Sequence, residues 1–158
     1  MAMRGNHFSG EYLHTIDDRG RVTLPPVMRS GHENFYILKD TGARYLESVG
    51  GSDAGLDMSI DLGWLCLYAP EQFGQFAPVV PEELSFHERT LYGSSFSEPR
   101  NVDAQGRIVI PSSYLQYADL EMRGNVTIIG AVSRIELWSP DSLKKHHQRL
   151  KLLRRNIP

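Results

Sequence analysis

The chain contains two closely similar stretches: His14-Thr-Ile-Asp17-Asp-Arg-Gly20-Arg21-Val-Thr-Leu-Pro25 and Arg100-Asn-Val-Asp103-Ala-Gln-Gly106-Arg107-Ile-Val-Ile-Pro111. Both contain Asp-x-x-Gly-Arg followed by a proline, and each matched position lies 86 residues later in the second copy. A repeat at a fixed offset indicates one supersecondary unit used twice. Any surface that this unit builds is therefore present in two copies.

Each copy predicts two strands joined by a tight turn. Alternating residues up to Ile16 are typical of a strand, and Asp17 with Gly20 suits a type I turn in which glycine takes the left-handed conformation. Pro25-Pro26 then ends the returning strand and opens a helical turn to about Met28. The matching prediction for the second copy is a strand to 102, a turn over 103–106, a strand over 107–110 and a helix over 111–117.

The ends of the two units align independently. Leu67-Tyr-Ala-Pro-Glu71 matches Leu137-Trp-Ser-Pro-Asp141 at an offset of 70, which places a 16-residue insertion within 41–63. The Ser139-Pro140-Asp141 sequence predicts the start of a final helix that runs to about Arg154. We predict a β-rich α+β fold, with a first unit over 1–80, a linking segment over 81–96 and a second unit over 97–158. Further strands are predicted at 35–38, 64–68, 125–129 and 135–138.

The composition is that of a globular protein without a membrane span. The chain has 158 residues, of which 41% are hydrophobic and 23% charged, and no apolar run reaches the 18 or more residues of a spanning helix. The first residues lack the apolar stretch of a signal peptide. Cys66 is the single cysteine, so we expect no internal disulfide and a buried thiol. These features favour a cytoplasmic location.

The net charge of −2 hides a strong asymmetry. Residues 1–99 carry 7 basic and 14 acidic side chains, whereas residues 100–158 carry 10 basic and 5 acidic ones. The two parts therefore have net charges of −7 and +5, which indicates a polarised surface. A solvated basic helix at the C-terminal end accounts for this charge equally well.

The repeated motif has both a structural and a recognition interpretation. Asp17, Gly20, Asp103 and Gly106 are most simply residues that build the turns. Arg21 and Arg107 each follow a turn. Each is placed either to form an ion pair with the aspartate four positions earlier, which we call a clip, or to reach a phosphate or a base edge. The sequence leaves these two interpretations open, and one arginine can serve both.

Four further residues are candidate DNA contacts. Arg19 and Gln105 occupy equivalent positions directly before the turn glycines, where we expect them to be exposed. Arg4, near the start of the chain, and Arg100, just before the second turn, are candidates for additional phosphate contacts.

Three segments together resemble the MraZ family of bacterial transcriptional regulators: Met3-Arg-Gly-Asn-His7, the paired Asp-x-x-Gly-Arg turns and Ile135-Glu-Leu-Trp-Ser139. The resemblance extends from residue 3 to about 150. It implies tandem AbrB-like swapped-hairpin units in a pseudo-two-fold, β-barrel-like body with short helices. It also implies nucleoid-associated ring oligomers that bind direct repeats of double-stranded DNA upstream of the division and cell-wall gene cluster. The family's Asp-x-x-x-Arg motifs for DNA binding fall on Asp17 with Arg21 and on Asp103 with Arg107.

Two features depart from the family pattern. The insertion within 41–63 is additional, and Asp17 and Asp18 beside Arg19 and Arg21 make the first hairpin less basic than an ideal phosphate clamp. The second hairpin has no adjacent acid beyond Asp103. If the two hairpins differ, we therefore expect the second to dominate DNA contact. Because a single chain offers only a few phosphate contacts, we expect weak binding per subunit and strong binding by a ring.

Other functional classes fit the sequence less well. The chain has no nucleophile motif, phosphate-binding glycine loop or metal-ligand spacing, so we predict neither an enzyme nor a cofactor or metal site. An antitoxin of the AbrB-like class would typically have one hairpin unit and a disordered tail. The main alternative is a ring-forming scaffold that binds another protein and has little affinity for DNA.

Overall fold

A computed structural model describes residues 8–41, 63–76 and 97–156 of the chain. Within these ranges the chain forms eight strands and four helices. They are β1 (Glu11–Thr15), β2 (Arg21–Thr23), α1 (Pro26–Arg29), β3 (Asn34–Thr41), β4 (Gly63–Tyr68), α2 (Pro70–Phe76), β5 (Arg100–Asn101), β6 (Arg107–Val109), α3 (Ser112–Tyr117), β7 (Asn125–Gly130), β8 (Ile135–Trp138) and α4 (Pro140–Asn156). The protein therefore has the predicted β-rich α+β fold.

Six of the strands form one antiparallel sheet in the order β1-β7-β8-β4-β3-β5. The pairs β1–β7, β4–β8 and β3–β5 each join a strand from before residue 77 to a strand from after residue 96. Each half of the chain thus contributes three strands to a single sheet. The AbrB-like identity of the repeated units and their boundaries stay predictions.

Strands β2 and β6 pair with each other in a separate two-stranded antiparallel ribbon, which we call the ribbon. Its register places Arg21 opposite Val109, Val22 opposite Ile108 and Thr23 opposite Arg107. Val22 and Ile108 are fully buried. Because side chains alternate along a strand, one face of the ribbon is anchored in the core and the other is directed away from it.

Apolar side chains cover both faces of the large sheet. Along β4, Leu65 and Leu67 belong to the larger cluster, which also contains both central ribbon residues. Trp64, Cys66 and Tyr68 point to the opposite face, where a smaller cluster includes Leu143 of α4. The continuous apolar run Trp-Leu-Cys-Leu-Tyr is thus the signature of a strand that is buried on both sides. Cys66 is buried, as the sequence predicts.

The element bounds agree with the sequence-based expectations apart from a few end residues. Strand β3 extends to Thr41 rather than ending at Leu38, and α4 ends at Asn156 rather than near Arg154. Ser139 caps α4 as predicted, because its hydroxyl oxygen accepts the N–H of Ser142 at 3.5 Å. Residues 42–62, which make up nearly all of the range that contains the predicted insertion, and the whole linking segment (81–96) lie outside the described residues.

The strands on either side of each turn pair with each other only close to the turn, where Val102 forms a single antiparallel bridge with Ile108 beside the second one. Strand β1 pairs with β7, and β2 pairs with β6. Between the two arms of the first hairpin, the Asp17 N–H donates to the Arg21 carbonyl at 3.0 Å. The chain therefore makes a tight turn and then crosses to the other half. In the part of the chain that the structure describes, no helix is both long and apolar enough to cross a bilayer.

Candidate nucleic-acid interface

The first turn is held by the carboxylate of Asp17, and we call residues 17–21 hairpin 1. The Oδ1 atom of Asp17 accepts the backbone N–H groups of Arg19 and Arg21 at 2.9 and 2.8 Å. Its Oδ2 atom accepts the Nε–H of Arg21 at 2.5 Å. Gly20 closes the turn at φ +76°, a left-handed conformation that glycine adopts without a steric penalty. One side chain therefore fixes both the turn and the arginine that follows it.

The second turn repeats this geometry 86 residues later, and we call residues 103–107 hairpin 2. Asp103 accepts the N–H groups of Gln105 and Arg107 at 2.9 Å each and the Nε–H of Arg107 at 2.8 Å. The Nη2 group of Arg107 also donates to the Gln105 side-chain oxygen at 3.2 Å. The aspartate–arginine clip that the sequence left open is thus present in both hairpins. DNA contact by the same arginines stays a prediction.

Hydrogen bonding lowers the pKa of both aspartates. Partial desolvation raises the pKa of Asp17, but the hydrogen bonds from Arg21 and Arg19 outweigh it and bring the pKa below its ordinary value. At Asp103 the backbone N–H of Arg107 is the largest influence, and the pKa is again lowered. Each clip therefore pairs two full charges at neutral pH. It removes much of the net positive charge that Arg21 or Arg107 would otherwise present.

Both clipped arginines lie on the outward face of the ribbon. In an antiparallel pair, directly opposed residues project from the same face, as do residues two apart along one strand. Arg21, Thr23, Arg107 and Val109 therefore share one face, and Thr23 and Val109 are exposed on it. The Cα atoms of the two arginines are separated by about 7 Å along the ribbon and about 5 Å across it. We call these four residues the ribbon face.

The clip does not use up the hydrogen-bonding capacity of these arginines. A guanidinium group has five N–H donors, and the aspartate receives Nε–H in each hairpin. The side chains of Arg21 and Arg107 are 22% and 30% exposed. The Nη ends are therefore the parts of the fork through which each arginine can bind a phosphate or a base edge.

Main-chain bonds lock the two hairpins into one unit. The Leu24 N–H donates to the Gly106 carbonyl at 2.9 Å, and the Ile110 N–H donates to the Gly20 carbonyl at 3.0 Å. Each turn glycine is thus bonded to the opposite half of the chain. The spacing between the hairpins is set by the ribbon and does not depend on any flexible connection.

The other predicted contact residues occupy different environments. Arg19 and Gln105 are exposed at the tips of their hairpins. Arg100 lies on β5 opposite Phe35 and is half-buried, and its Nε atom is enclosed with no hydrogen-bond partner among the described residues. Arg4 lies outside the described residues. Arg19 and Gln105 are thus better placed for DNA contact than Arg100.

The structure places one further cation at hairpin 2 that the sequence did not predict. Arg29, the last residue of α1, donates an Nη1–H to the Gln105 carbonyl at 2.5 Å. The two residues are 76 positions apart, and no local pattern connects them. Arg29 also borders an open cleft of about 600 Å³, one wall of which is hairpin 2. In the ranges that the structure covers, no cluster of three or more His, Cys, Asp or Glu side chains is arranged to hold a metal ion.

Comparisons with known proteins identify relatives over nearly the full length. Residues 98–155 match a family model described as "MraZ protein, putative antitoxin-like". A transcriptional regulator MraZ of Natranaerobius thermophilus is 30% identical over 155 residues, which cover 95% of this chain and 93% of the relative. One from Finegoldia magna is 31% identical over 140 residues, or 88% and 85% of the two chains. One from Cytophaga hutchinsonii is 30% identical over 142 residues, or 87% and 83%.

Proposed function

This chain belongs to the MraZ family, and we propose that it is a DNA-binding transcriptional regulator that reads DNA with the ribbon face and the two hairpin tips. The relatives are named as transcriptional regulators, and a role of this kind calls for a surface that binds nucleic acid. We assign no catalytic step and no cofactor to the protein.

The observation that carries the proposal is the placement of Arg21 and Arg107 on one outward face of a rigid two-stranded ribbon. The major groove of B-DNA is about 12 Å wide and admits such a ribbon. Arginine is suited to bidentate contact with guanine and with phosphate, and the clips orient both side chains before DNA arrives. Exposed Thr23 and Val109 lie beside them and offer methyl groups for contact with thymine.

The remaining candidates have supporting roles. We assign Arg19 and Gln105, at the two tips, to contacts at the edges of the groove. Arg100 and Arg4 are assigned to auxiliary phosphate contacts. Asp17, Gly20, Asp103 and Gly106 hold the hairpins in shape and make no contact with DNA in this proposal.

We further propose that the functional form is a ring of identical subunits on short direct repeats. The target is DNA upstream of the protein's own gene, within the division and cell-wall gene cluster, and binding places the protein in the cytoplasm at the nucleoid. Each hairpin pairs its arginine with an aspartate, so binding by one subunit is weak. Linked sites raise the overall affinity by about 10²- to 10⁴-fold, and a head-to-tail ring suits repeats that all run in one direction.

The proposal is tested by fluorescence anisotropy with labelled DNA from upstream of this gene and with scrambled DNA. The proteins are the wild type, Arg21→Lys/Arg107→Lys and Arg21→Ala/Arg107→Ala. The lysine variant keeps both charges but loses the bidentate fork. We expect it to keep non-specific binding and to lose much of its preference for the upstream DNA, whereas the alanine variant loses both. Circular dichroism and native mass spectrometry verify the fold and the oligomeric state of each protein.

Two results would contradict the proposal. A wild type with no preference for its upstream DNA at low or high salt would favour the protein-binding scaffold. A folded alanine variant that binds like the wild type would show that the ribbon face is not the DNA-reading surface.

A further inference from the structure

Arg29 reaches the tip of hairpin 2 because Gly106 has no side chain. A Cβ atom at Gly106 would overlap the guanidinium and the Cδ of Arg29. Glycine at this position thus serves two purposes, since its φ of +80° is also left-handed. The Arg29 Nη1 group lies over the glycine and bonds the preceding carbonyl, that of Gln105. The Arg29 side chain, at the end of α1, is therefore packed against the backbone of hairpin 2, which belongs to the other half of the chain.

The charge of Arg29 is not compensated in the way that the charges of Arg21 and Arg107 are. Its hydrogen-bond acceptor is a neutral carbonyl, whereas each clipped arginine faces a carboxylate. Within 8–41, 63–76 and 97–156, no acidic side chain forms an ion pair with Arg29. The side chain is half-buried, so it is held in place but remains accessible. Hairpin 2 itself contains one aspartate and one arginine, and Arg29 therefore adds a net positive charge to it.

The equivalent position in hairpin 1 has no such charge. At an offset of 86, Arg29 corresponds to Leu115. Leu115 occupies the matching place, because its Cδ1 atom would lie 3.4 Å from a Cβ atom at Gly20. The same gap above the turn glycine is thus filled by an apolar side chain in one hairpin and by a guanidinium in the other.

From this arrangement we propose that Arg29 is an additional DNA-contacting residue that binds a backbone phosphate next to hairpin 2. This inference rests on the proposed DNA-binding function. A guanidinium bonded through one N–H to a carbonyl has further donors for a phosphate, and the bond to Gln105 orients them in advance. The contact is to the DNA backbone and carries no sequence preference of its own. It makes hairpin 2 the stronger of the two anchoring points.

The test compares Arg29→Ala, Arg29→Lys and the wild type by DNA affinity at several salt concentrations, with upstream and scrambled DNA. Leu115→Ala is the matched control at the equivalent position without a charge change. Lys151→Ala, on α4, controls for the loss of any one positive charge. Thermal unfolding of every variant separates loss of fold from loss of contact.

We expect Arg29→Ala to weaken binding to both DNAs by the same factor, on the order of tenfold at low salt. It should reduce the slope of log affinity against log salt by about 0.9, as expected for one phosphate contact. The ratio of the wild-type affinity to the Arg29→Ala affinity should then fall about 3.5-fold between 50 and 200 mM salt. Arg29→Lys should retain the wild-type slope, and both controls should leave it unchanged.

A folded Arg29→Ala variant with the wild-type slope would overturn the inference and would make Arg29 a purely structural brace. A slope that falls equally in Lys151→Ala would overturn it too, because the effect would then be general. If the wild type itself fails to bind DNA, the proposed function is wrong and this inference falls with it. That outcome is distinct from a regulator that binds DNA without using Arg29.

Discussion

Val22 and Ile108 are paired directly across the ribbon, and they are also equivalent positions of the repeated stretch, 86 residues apart. Equivalent residues can face each other in an antiparallel pair only if a local two-fold axis passes between them. The bonds Leu24 N–H to Gly106 and Ile110 N–H to Gly20 obey the same axis. The ribbon is thus the place where the two copies of the motif meet.

This pairing predicts energetic coupling between the copies. Both side chains are fully buried, so we expect Ile108→Ala to lower the free energy of unfolding by about 2–5 kcal/mol and Val22→Ala by somewhat less. Because the two residues share one site, the double variant should lose less than the sum of the single losses. Urea unfolding of the four proteins measures this difference. Additivity within about 0.5 kcal/mol would mean that the two positions are independent.

The two turn glycines should respond differently to alanine. Gly20→Ala incurs the left-handed strain of about 1–2 kcal/mol, and its new methyl group would lie 3.3 Å or more from its neighbours. Gly106→Ala incurs the same strain and also displaces Arg29 from Gln105. We expect Gly106→Ala to be destabilised more than Gly20→Ala. This additional loss of stability should disappear when Gly106→Ala is combined with Arg29→Ala. Urea unfolding measures these differences. If Gly106→Ala lowers the free energy of unfolding equally with Arg29 and with Ala at position 29, Arg29 does not pack on Gly106.

Acid should destabilise the protein partly through Asp17 and Asp103. Their pKa values are lowered in the folded state, so their contribution to stability is present above the unfolded value of about 4 and is lost as the pH falls through the folded values. We expect Asp17→Asn/Asp103→Asn to have a lower Tm than the wild type at neutral pH. The gap should narrow as the pH falls below about 4. A Tm difference between the two proteins that stays constant with pH would show that the charges of these carboxylates do not contribute to stability.

His146 should add a second pH dependence at higher pH. Its ring lies 4.8 Å from Trp138 and 5.2 Å from Trp64. Burial lowers the pKa of His146, and the nearby Glu136 only partly opposes this. Stability from this group is therefore present above the ordinary value of about 6.5 and is lost as the pH falls below it. We expect the Tm to fall less between pH 7.5 and 5 in His146→Phe, which keeps the ring, than in the wild type. Identical slopes would assign the dependence to other groups.

Relatives and geometry together explain why a nearly neutral chain fits a DNA-binding role. The charges that face DNA in the proposal are few, and the two arginines of the ribbon face are both paired with aspartates. Such a surface can position side chains against specific bases, but its non-specific affinity for DNA is weak. In the proposed ring, multiple copies of the surface would supply the missing affinity.

The local structure of both hairpins could be predicted from the sequence. Asp17 and Gly20 predict the turn because an aspartate accepts nearby N–H groups and glycine tolerates positive φ, and these interactions lie within four residues. The constant offset of 86 residues showed that the second turn would be the same. The family resemblance rested on these turns together with Met3–His7 and Ile135–Ser139.

Which strands pair, and which side chains cover each turn, could be seen only in the folded structure. Sequence patterns record the period of a strand but not its partner, so the alternation around Arg21 could not show that β2 pairs with β6 or that Arg107 shares its face. The contact of Arg29 with Gln105 spans 76 residues and exists only because α1 packs against hairpin 2. Local chemistry thus fixed the shape of each hairpin, and long-range packing fixed which charges accompany it.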